Sequence, residues 1–423
     1  MTVRTQPETK RATTAARTDP EDRSFPSGAI RKTLERCASS ATWRSHLGID
    51  GSGDVRTSGD FRRLPFMTKA SFRNAAPLAF SCAPERDIVR IHSTSGTTGE
   101  PVIVPYTAGD VAVFREIMAR CLRIAGVGPE DRVQITPGYG LWTAGIGFQA
   151  GVEEIGAMAV PLGPQPLPKQ LEFMRRLRPT VLIGTASFAF LVGEEMARSG
   201  SRPPFRIAIL GAEQWGEKRR GMIEALTGAE TFDIYGMTET YGPGISIDCP
   251  RHEGLHYWDD LFYFEVVDDR GNVLPDGEPG ELVVTTLAKE GMPLVRYRTG
   301  DRTTLLRRRC SCGSRYPLMA RVDGRTDDMI TFRGVNIYPS AVEVMLSKIP
   351  GLSCEYRITL RTEEGRDVLT LEVEGSETGA HPSPKVVEHA FKALFSATPV
   401  VEILPYGTLE RAVKKAKRVV DMR

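Results

Sequence analysis

Between residues 108 and 236, amphipathic stretches of helical period alternate with short β-branched runs, and this alternation restricts the fold more than any other feature of the chain. GDVAVFREIMARCLRIAG, with Asp110 placed to cap it, leads to DRVQITP, and KQLEFMRRLRP leads to TVLIGT. FRIAILGAE and TFDIYG are further apolar runs that end in glycine or polar turns. Parallel strands need a long crossover between them, usually a helix, so the pattern predicts a largely parallel α/β sheet with ligands gathered at the carboxyl ends of its strands. The turns GAEQW from Gly211 and YGMTET from Tyr235 stand at such ends.

A third turn, STSGTTGEP from Ser93 to Pro101, is built of Gly, Ser and Thr and closes with proline. Two readings are open. Its glycines let a polyanion approach backbone N–H groups, with hydroxyls as uncharged donors; the same composition also makes a solvated linker. The flanks IVRIH and VIVPY are β-branched, which places the loop between two strands of a folded sheet. The P-loop motif of nucleotide triphosphatases is excluded, because Gly99 is followed by Glu100 and Pro101 rather than Lys and Ser or Thr.

With 423 residues and 41% apolar content, the chain can bury a large core divided among two or three domains. Its formal net charge is +2 with interspersed signs, so no polycation pattern points to nucleic acid or an anionic membrane. There is no apolar run of membrane-spanning length and no secretory segment, and a soluble, cytoplasmic protein is expected. The seven cysteines are then thiols or metal ligands. Met1 to Gly28 has hardly any large apolar residue and reads as a disordered tail; its Glu8, Asp19, Glu21 and Asp22 argue against a transit peptide. After Thr240, alternating strands broken by Gly and Pro suggest a small antiparallel β subdomain over residues 240–326. Beyond it lies a compact α+β module, 327–423. The expected fold is α/β: a large N-terminal domain, 29–326, with parallel-rich sheets and that β subdomain, plus a small mobile α+β C-terminal domain.

STSGTTGEP, YGMTET, GELVVTTL, VRYRTGD and GRTDDMITFRGVNIYP occur in the order shown by the adenylate-forming acyl-CoA synthetase superfamily. PYTAGDVAVF, GYGLWTAGIG, LGAEQW, MPLVRYRTGD and RGVNIYPSAVE resemble its phenylacetate-CoA ligase branch, which includes coenzyme F390 synthetase-like proteins; the resemblance covers residues 60 to 423. It implies that a carboxylate attacks the α-phosphorus of ATP, releasing pyrophosphate and leaving an acyl-adenylate, after which a thiol, usually of coenzyme A, displaces AMP. A carrier-protein pantetheine or an amine is the alternative acceptor. A non-catalytic zinc-binding homologue is the more distant alternative. Family analogy alone suggests a homodimer.

The resemblance also implies residue roles. Ser93, Thr94, Ser95, Gly96, Thr97, Thr98 and Gly99 would cradle the phosphates, Thr238 would bond the α-phosphate and Glu239 would hold Mg2+. Tyr235, Gly236 and the turn Gly211, Ala212 and Glu213 would hold adenine; Asp301 would accept from the ribose hydroxyls, with Arg325 nearby. Asp327 matches the hinge of the small domain, and Lys415 the lysine that bridges carboxylate and phosphate. The chain departs from the family pattern at Glu410, where proline is usual, at Lys414, which replaces a glycine, and at Glu100, commonly lysine and expected here to face solvent. Lys414, Lys417 and Arg418 would form a solvated basic helix or contact coenzyme A phosphates.

Tyr139, Gly140, Trp142, Ala212 and Trp215 match positions that line the acyl pocket, and aromatic walls favour an aryl or arylacetic acid; core packing is the alternative for Trp215. Cys249, His256, Cys310 and Cys312 offer three thiolates and one imidazole suited to tetrahedral structural Zn2+, with His252 a competing ligand. Some members of the resembling branch carry zinc on such a set. Cys37, Cys82, Cys121 and Cys354 read as ordinary thiols.

Overall fold

The computed structural model describes residues 25–49, 53, 55–94, 100–326, 329–333, 335–363, 366–410 and 418–423. The strand–helix alternation becomes one nine-stranded sheet. Its parallel half runs from Glu230–Met237 through Ile207–Gly211, Val181–Gly184 and Arg132–Ile135 to Met158–Val160. Every residue of Val181–Gly184 and Ile207–Gly211 is buried, as a strand covered by helices on both faces must be. Val181, Ile183, Ile207 and Ile209 enter a core shared with Phe114, Ile117 and Met118 of the helix Ala108–Ile124. Leu182, Ala208 and Leu210 point the other way, into a second core with Phe188, Phe190 and Trp215.

The helix Ala108–Ile124 is capped by Thr107, not by Asp110. Asp110 is the reciprocal member of the capping box, taking the Thr107 N–H at 3.1 Å while Thr107 Oγ1 takes the Asp110 N–H at 3.1 Å. The carboxylate also accepts the N–H groups of Glu290 and Gly291, each at 2.8 Å, so a residue predicted as a local cap pins a turn far along the chain.

The segment after Thr240 divides between two sheets. Gly242–Ile247 and Leu255–Tyr257 extend the large sheet in antiparallel sense, while Phe262–Val267, Gly280–Thr286, Tyr297–Thr303 and Gly324–Arg325 make a separate antiparallel sheet. At the other end, the tail expected to reach Gly28 is cut short. Phe25 is buried, with its ring 5.6 Å from both Phe61 and Tyr263, and the first helix runs Ser27–Ala38, so one aromatic anchor orders the residues that follow it.

The C-terminal module has its own core, in which the helices Pro339–Ser347 and Pro384–Phe395 cover the strands Leu352–Glu363 and Arg366–Gly375. Val400–Leu404 and Val419–Asp421 flank them in parallel, the latter a strand that the sequence reading did not assign. No described helix is long and apolar enough to cross a membrane.

Candidate active site

The loop from Ser93 to Pro101 joins the antiparallel strands Ile88–Ser93 and Ile103–Thr107, as its β-branched flanks predict. Ser95, Gly96, Thr97, Thr98 and Gly99 lie outside the described residues. Thr94 sits at the neck: its N–H donates to the Val102 carbonyl at 3.1 Å, and its hydroxyl accepts the Val102 N–H at 3.0 Å. Ser93 is buried, with its hydroxyl donating to the Thr94 carbonyl at 3.0 Å. Both side chains therefore brace the neck of the loop. Glu100 is exposed, and its carbonyl accepts Arg73 Nε at 2.8 Å.

At the carboxyl end of Glu230–Met237 four of the named residues meet. The Tyr235 hydroxyl donates to Asp301 Oδ2 at 2.7 Å, and Arg325 Nη1 donates to Asp301 Oδ1 at 2.6 Å, across a register that pairs Asp301 with Arg325. Burial and the facing carboxylate push the Tyr235 phenol well above its ordinary range, so it stays a donor. Gly236 follows because a Cβ there would stand 2.2 Å from the Gly242 carbonyl oxygen. Thr238 is half-buried in the turn, and Glu239 is buried beneath it. Two partners of Glu239 are absent from the sequence reading: Tyr297, whose hydroxyl donates to Oε1 at 3.2 Å, and Lys69, whose Nζ stands 3.4 Å from the same oxygen. Tyr297 lies inside the VRYRTGD motif, a usable signal. Nothing in the sequence ties Lys69 to a carboxylate so far along the chain.

On the neighbouring turn Ala212 is exposed with φ +67°, in the left-handed region. The Glu213 side chain is turned back into the protein, where it accepts the Ser187 N–H and, at 2.9 Å, the Ser187 hydroxyl at the start of the helix Ala186–Arg198. A carboxylate there complements the helix N-terminus. Trp215 is buried between Arg220 and Arg321, at 5.1 and 4.5 Å from its ring, and donates to Asp233 Oδ1 at 3.3 Å. It packs in the core on the opposite face of the sheet from the one Tyr139 joins, so the structure does not bring it to an acyl pocket with Tyr139.

Tyr139, Gly140 and Trp142 form an open segment at the end of Arg132–Ile135. Trp142 is 50% exposed and lies against Gly138, where a Cβ would stand 2.7 Å from its ring. The Tyr139 hydroxyl is buried with no hydrogen-bond partner among the described residues, and desolvation pushes it up to about 12. The hinge residue Asp327 and Lys415, with Lys414 and Lys417, lie outside the described residues; Arg418, assigned to a basic helix, instead donates to Glu355 and Tyr356.

Cys249, His256, Cys310 and Cys312 converge, with their ligand atoms all within 4.8 Å of one another. The Cys249 and Cys310 sulfurs are 3.5 Å apart, and Cys312 Sγ is 3.2 Å from His256 Nε2. His256 Nδ1 is 2.9 Å from the Tyr316 carbonyl, which places the ring proton on Nδ1 and leaves Nε2 facing the thiols as a free donor pair. His252 is not part of this cluster. Its Nδ1 lies 2.8 Å from Asp248 Oδ2 and 3.1 Å from Arg220, which removes it as a competing ligand.

Known proteins place this geometry. The pattern of AMP-binding enzymes matches residues 20–288, and that of the AMP-binding enzyme C-terminal domain matches 334–423. The chain is 39% identical to a phenylacetate-coenzyme A ligase of Thermus thermophilus over 89% of this chain and 90% of that one. It is 37% identical to the Escherichia coli K12 ligase of the same name over 88% and 87%. Among solved structures it resembles 2-hydroxyisobutyryl-CoA ligase with a bound acyl-AMP in the postadenylation state, with TM-score 0.84, 25% identity and coverage of 94% and 89%. The same enzyme in its thioesterification state gives 0.68, at 26% identity and coverage of 95% and 89%. The two domain matches and these relatives agree, and the chain belongs to the AMP-binding, adenylate-forming enzyme family, in its phenylacetate-CoA ligase-like branch.

Proposed function

We propose that this AMP-forming acid–thiol ligase activates an aryl or arylacetic acid, first as the acyl-adenylate and then as the coenzyme A thioester. The observation that carries the acyl class is the Tyr139–Trp142 segment, an aromatic wall with one buried, unpaired hydroxyl at a strand end. Phosphoryl chemistry of this kind asks the protein for position and charge neutralisation rather than covalent help.

Each residue then has a task. Thr94 and Ser93 hold the neck so that Ser95 to Gly99 can wrap the β- and γ-phosphates. Asp301, held by Tyr235 and Arg325, would accept from the ribose hydroxyls. Tyr235, with Gly236, presents its ring to the adenine beside Gly211 and Ala212, while Glu213 supports that turn from behind. Thr238 donates to the α-phosphate. Glu239 is an oxygen donor of the kind Mg2+ takes, and Mg2+ when bound would offset the phosphate charge; Lys69 and Tyr297 hold the carboxylate in place. Lys415 supplies the cation at the attacking carboxylate, and rotation about Asp327 serves the two half-reactions.

The Cys249, His256, Cys310 and Cys312 set fits Zn2+. It offers soft, tetrahedral-capable donors and an oriented imidazole, and burial raises the Cys249 and Cys310 thiols, so a cation is what would release their protons. With all donors from protein its role is structural, tying the segment after Thr240 to the turn around Cys310.

The test is ATP–pyrophosphate exchange over a panel of benzoic, arylacetic and aliphatic acids, followed by coenzyme A or a carrier protein with the active acid. Exchange with aryl acids and thioester with coenzyme A support the reading. Exchange confined to aliphatic acids, or transfer only to a carrier thiol or amine, replaces it.

A further inference from the structure

Behind the phosphate side of the site lies a buried cation that the reaction as described does not use. Lys289 is fully buried, and its Nζ has no hydrogen-bond partner among the described residues. It stands 3.9 Å from the centre of the Tyr106 ring and 4.2 Å from that of Tyr241, the two rings being 6.1 Å apart at 77°. An ammonium desolvated between two aromatic faces is the strong form of the cation–π contact. The phenol oxygens of Tyr106 and Tyr241 and Nε2 of His92 are also buried without partners among the described residues, so what the cation meets there is ring faces.

The rings belong to two different walls of the site. Tyr106 is on the strand Ile103–Thr107, the second arm of the hairpin that carries the Ser93–Pro101 loop. His92, on the first arm, stacks edge-on against Tyr106 at 4.9 Å and touches the Leu141 carbonyl at 3.1 Å. Tyr241 stands two residues after Glu239, immediately beyond the YGMTET turn. Lys289 itself leads the turn that Asp110 fixes through the N–H groups of Glu290 and Gly291. One cation thus bridges the strand that follows the Ser93–Pro101 loop and the residue that follows the Thr238–Glu239 turn, and is anchored by a third element.

We propose that Lys289 is a positioning residue for adenylation: its ammonium, clamped between Tyr106 and Tyr241, sets the distance between the strand Ile103–Thr107 and the Thr238–Glu239 turn, and so the binding of ATP. This rests on the assignment of Thr238 and Glu239 to ATP. Burial pulls Lys289 down to about 8, partly opposed by Asp110; Glu239, Glu290, Arg90 and Arg36 are further charges acting on the Tyr106–Tyr241 pair. The charge is therefore a net cost to the fold at neutral pH, and its loss would not itself unfold the protein.

The test is Lys289→Met in the full-length enzyme, which keeps the length of the side chain and removes the charge. In ATP–pyrophosphate exchange, the KM for ATP should rise roughly tenfold while the KM for the acid stays within about twofold and the melting temperature does not fall. Tyr241→Leu should reproduce the ATP defect, and Tyr241→Phe, which keeps the ring, should rescue it. An unchanged KM for ATP overturns the proposal, and so does a Phe variant as damaged as the Leu variant, which would move the role to the phenol oxygen. Equal rises in both KM values with a lowered melting temperature would also overturn it, leaving Lys289 a packing residue. Glu239→Gln run alongside separates the two levels: if that change leaves ATP use intact, the loop assignment itself has failed.

Discussion

Arg219, on the large domain's helix Glu217–Thr227, donates to the buried carboxylate of Glu355 in the small domain's strand Leu352–Glu363. Arg418 donates to the other oxygen of the same carboxylate, and Lys218 Nζ adds a bond to the Leu352 carbonyl at 2.8 Å. The Tyr406 hydroxyl donates to Glu194 elsewhere on this interface. The domain arrangement held this way superposes better on the postadenylation state of 2-hydroxyisobutyryl-CoA ligase than on its thioesterification state, with TM-scores 0.84 and 0.68.

Glu355→Gln keeps the shape and removes the charge that Arg219, 3% exposed, depends on. Breaking a buried pair from one side costs about 3–5 kcal/mol. The expected result is a several-fold loss of ATP–pyrophosphate exchange, an expanded solution scattering profile, and retained transfer from preformed acyl-adenylate to coenzyme A. An exchange rate equal to wild type would show that the latch does not hold the adenylating arrangement.

The same carboxylate predicts a pH dependence. Burial pushes Glu355 up, but Arg219 and Arg418 outweigh it and hold it down at about 2. Its unfolded value is about 4.3. The folded value is the lower one, so its contribution to stability is complete above the unfolded value and is lost as pH falls towards the folded one. Acid unfolding followed by circular dichroism should therefore be shallower in that window for Glu355→Gln than for wild type.

Zinc should co-purify at one equivalent when chelators are avoided, measured by elemental analysis. Cys310→Ser should lower metal content and cost a few kcal/mol of apparent stability, since binding energy in a closed site is folding energy. Metal-free protein with an unchanged melting curve would show that the four side chains are a thiol cluster and no more.

Glu239→Gln should lower exchange roughly 100-fold, the scale of losing one preorganised charge at a reacting phosphate. Glu100→Lys should keep activity or raise ATP affinity, because the side chain at 100 is exposed and a cation there would attract rather than repel the phosphates. A large loss from the second change would reveal a specific role for the carboxylate.

Tyr139→Phe removes a buried hydroxyl that has no partner among the described residues, so stability should hold within about 1 kcal/mol. Selectivity should move instead: acids bearing a polar ring substituent should lose roughly tenfold in kcat/KM relative to unsubstituted ones. An unaltered ranking over the acid panel would place Tyr139 outside the pocket.

Much of the site was legible in the chain because its signals are local. The glycine and hydroxyl run between two β-branched strands, the Tyr235 and Asp301 turns, and the Cys249, His256 and CxC set are each short in sequence; the fold pairs the flanking strands, bonds Tyr235 to Asp301 and gathers the four cysteine and histidine side chains. Reading position by position failed where a side chain chooses between a local and a distant partner. Asp110 completes a cap and also holds the turn at Glu290, Glu213 faces Ser187, and Trp215 goes to the far side of the sheet between two arginines.

What the sequence determined alone is the alternation of strands and helices, since hydrophobic period is short-range and survives without knowledge of the fold, and, through the order of its motifs, the resemblance to the adenylate-forming family. What only the tertiary structure decided is partnership: that Lys289 lies between Tyr106 and Tyr241, that Lys69 reaches Glu239, and that Arg219 crosses 136 positions to Glu355. Charges and rings act through space over a few ångströms, and which of them come that close is settled by how the sheets and helices pack.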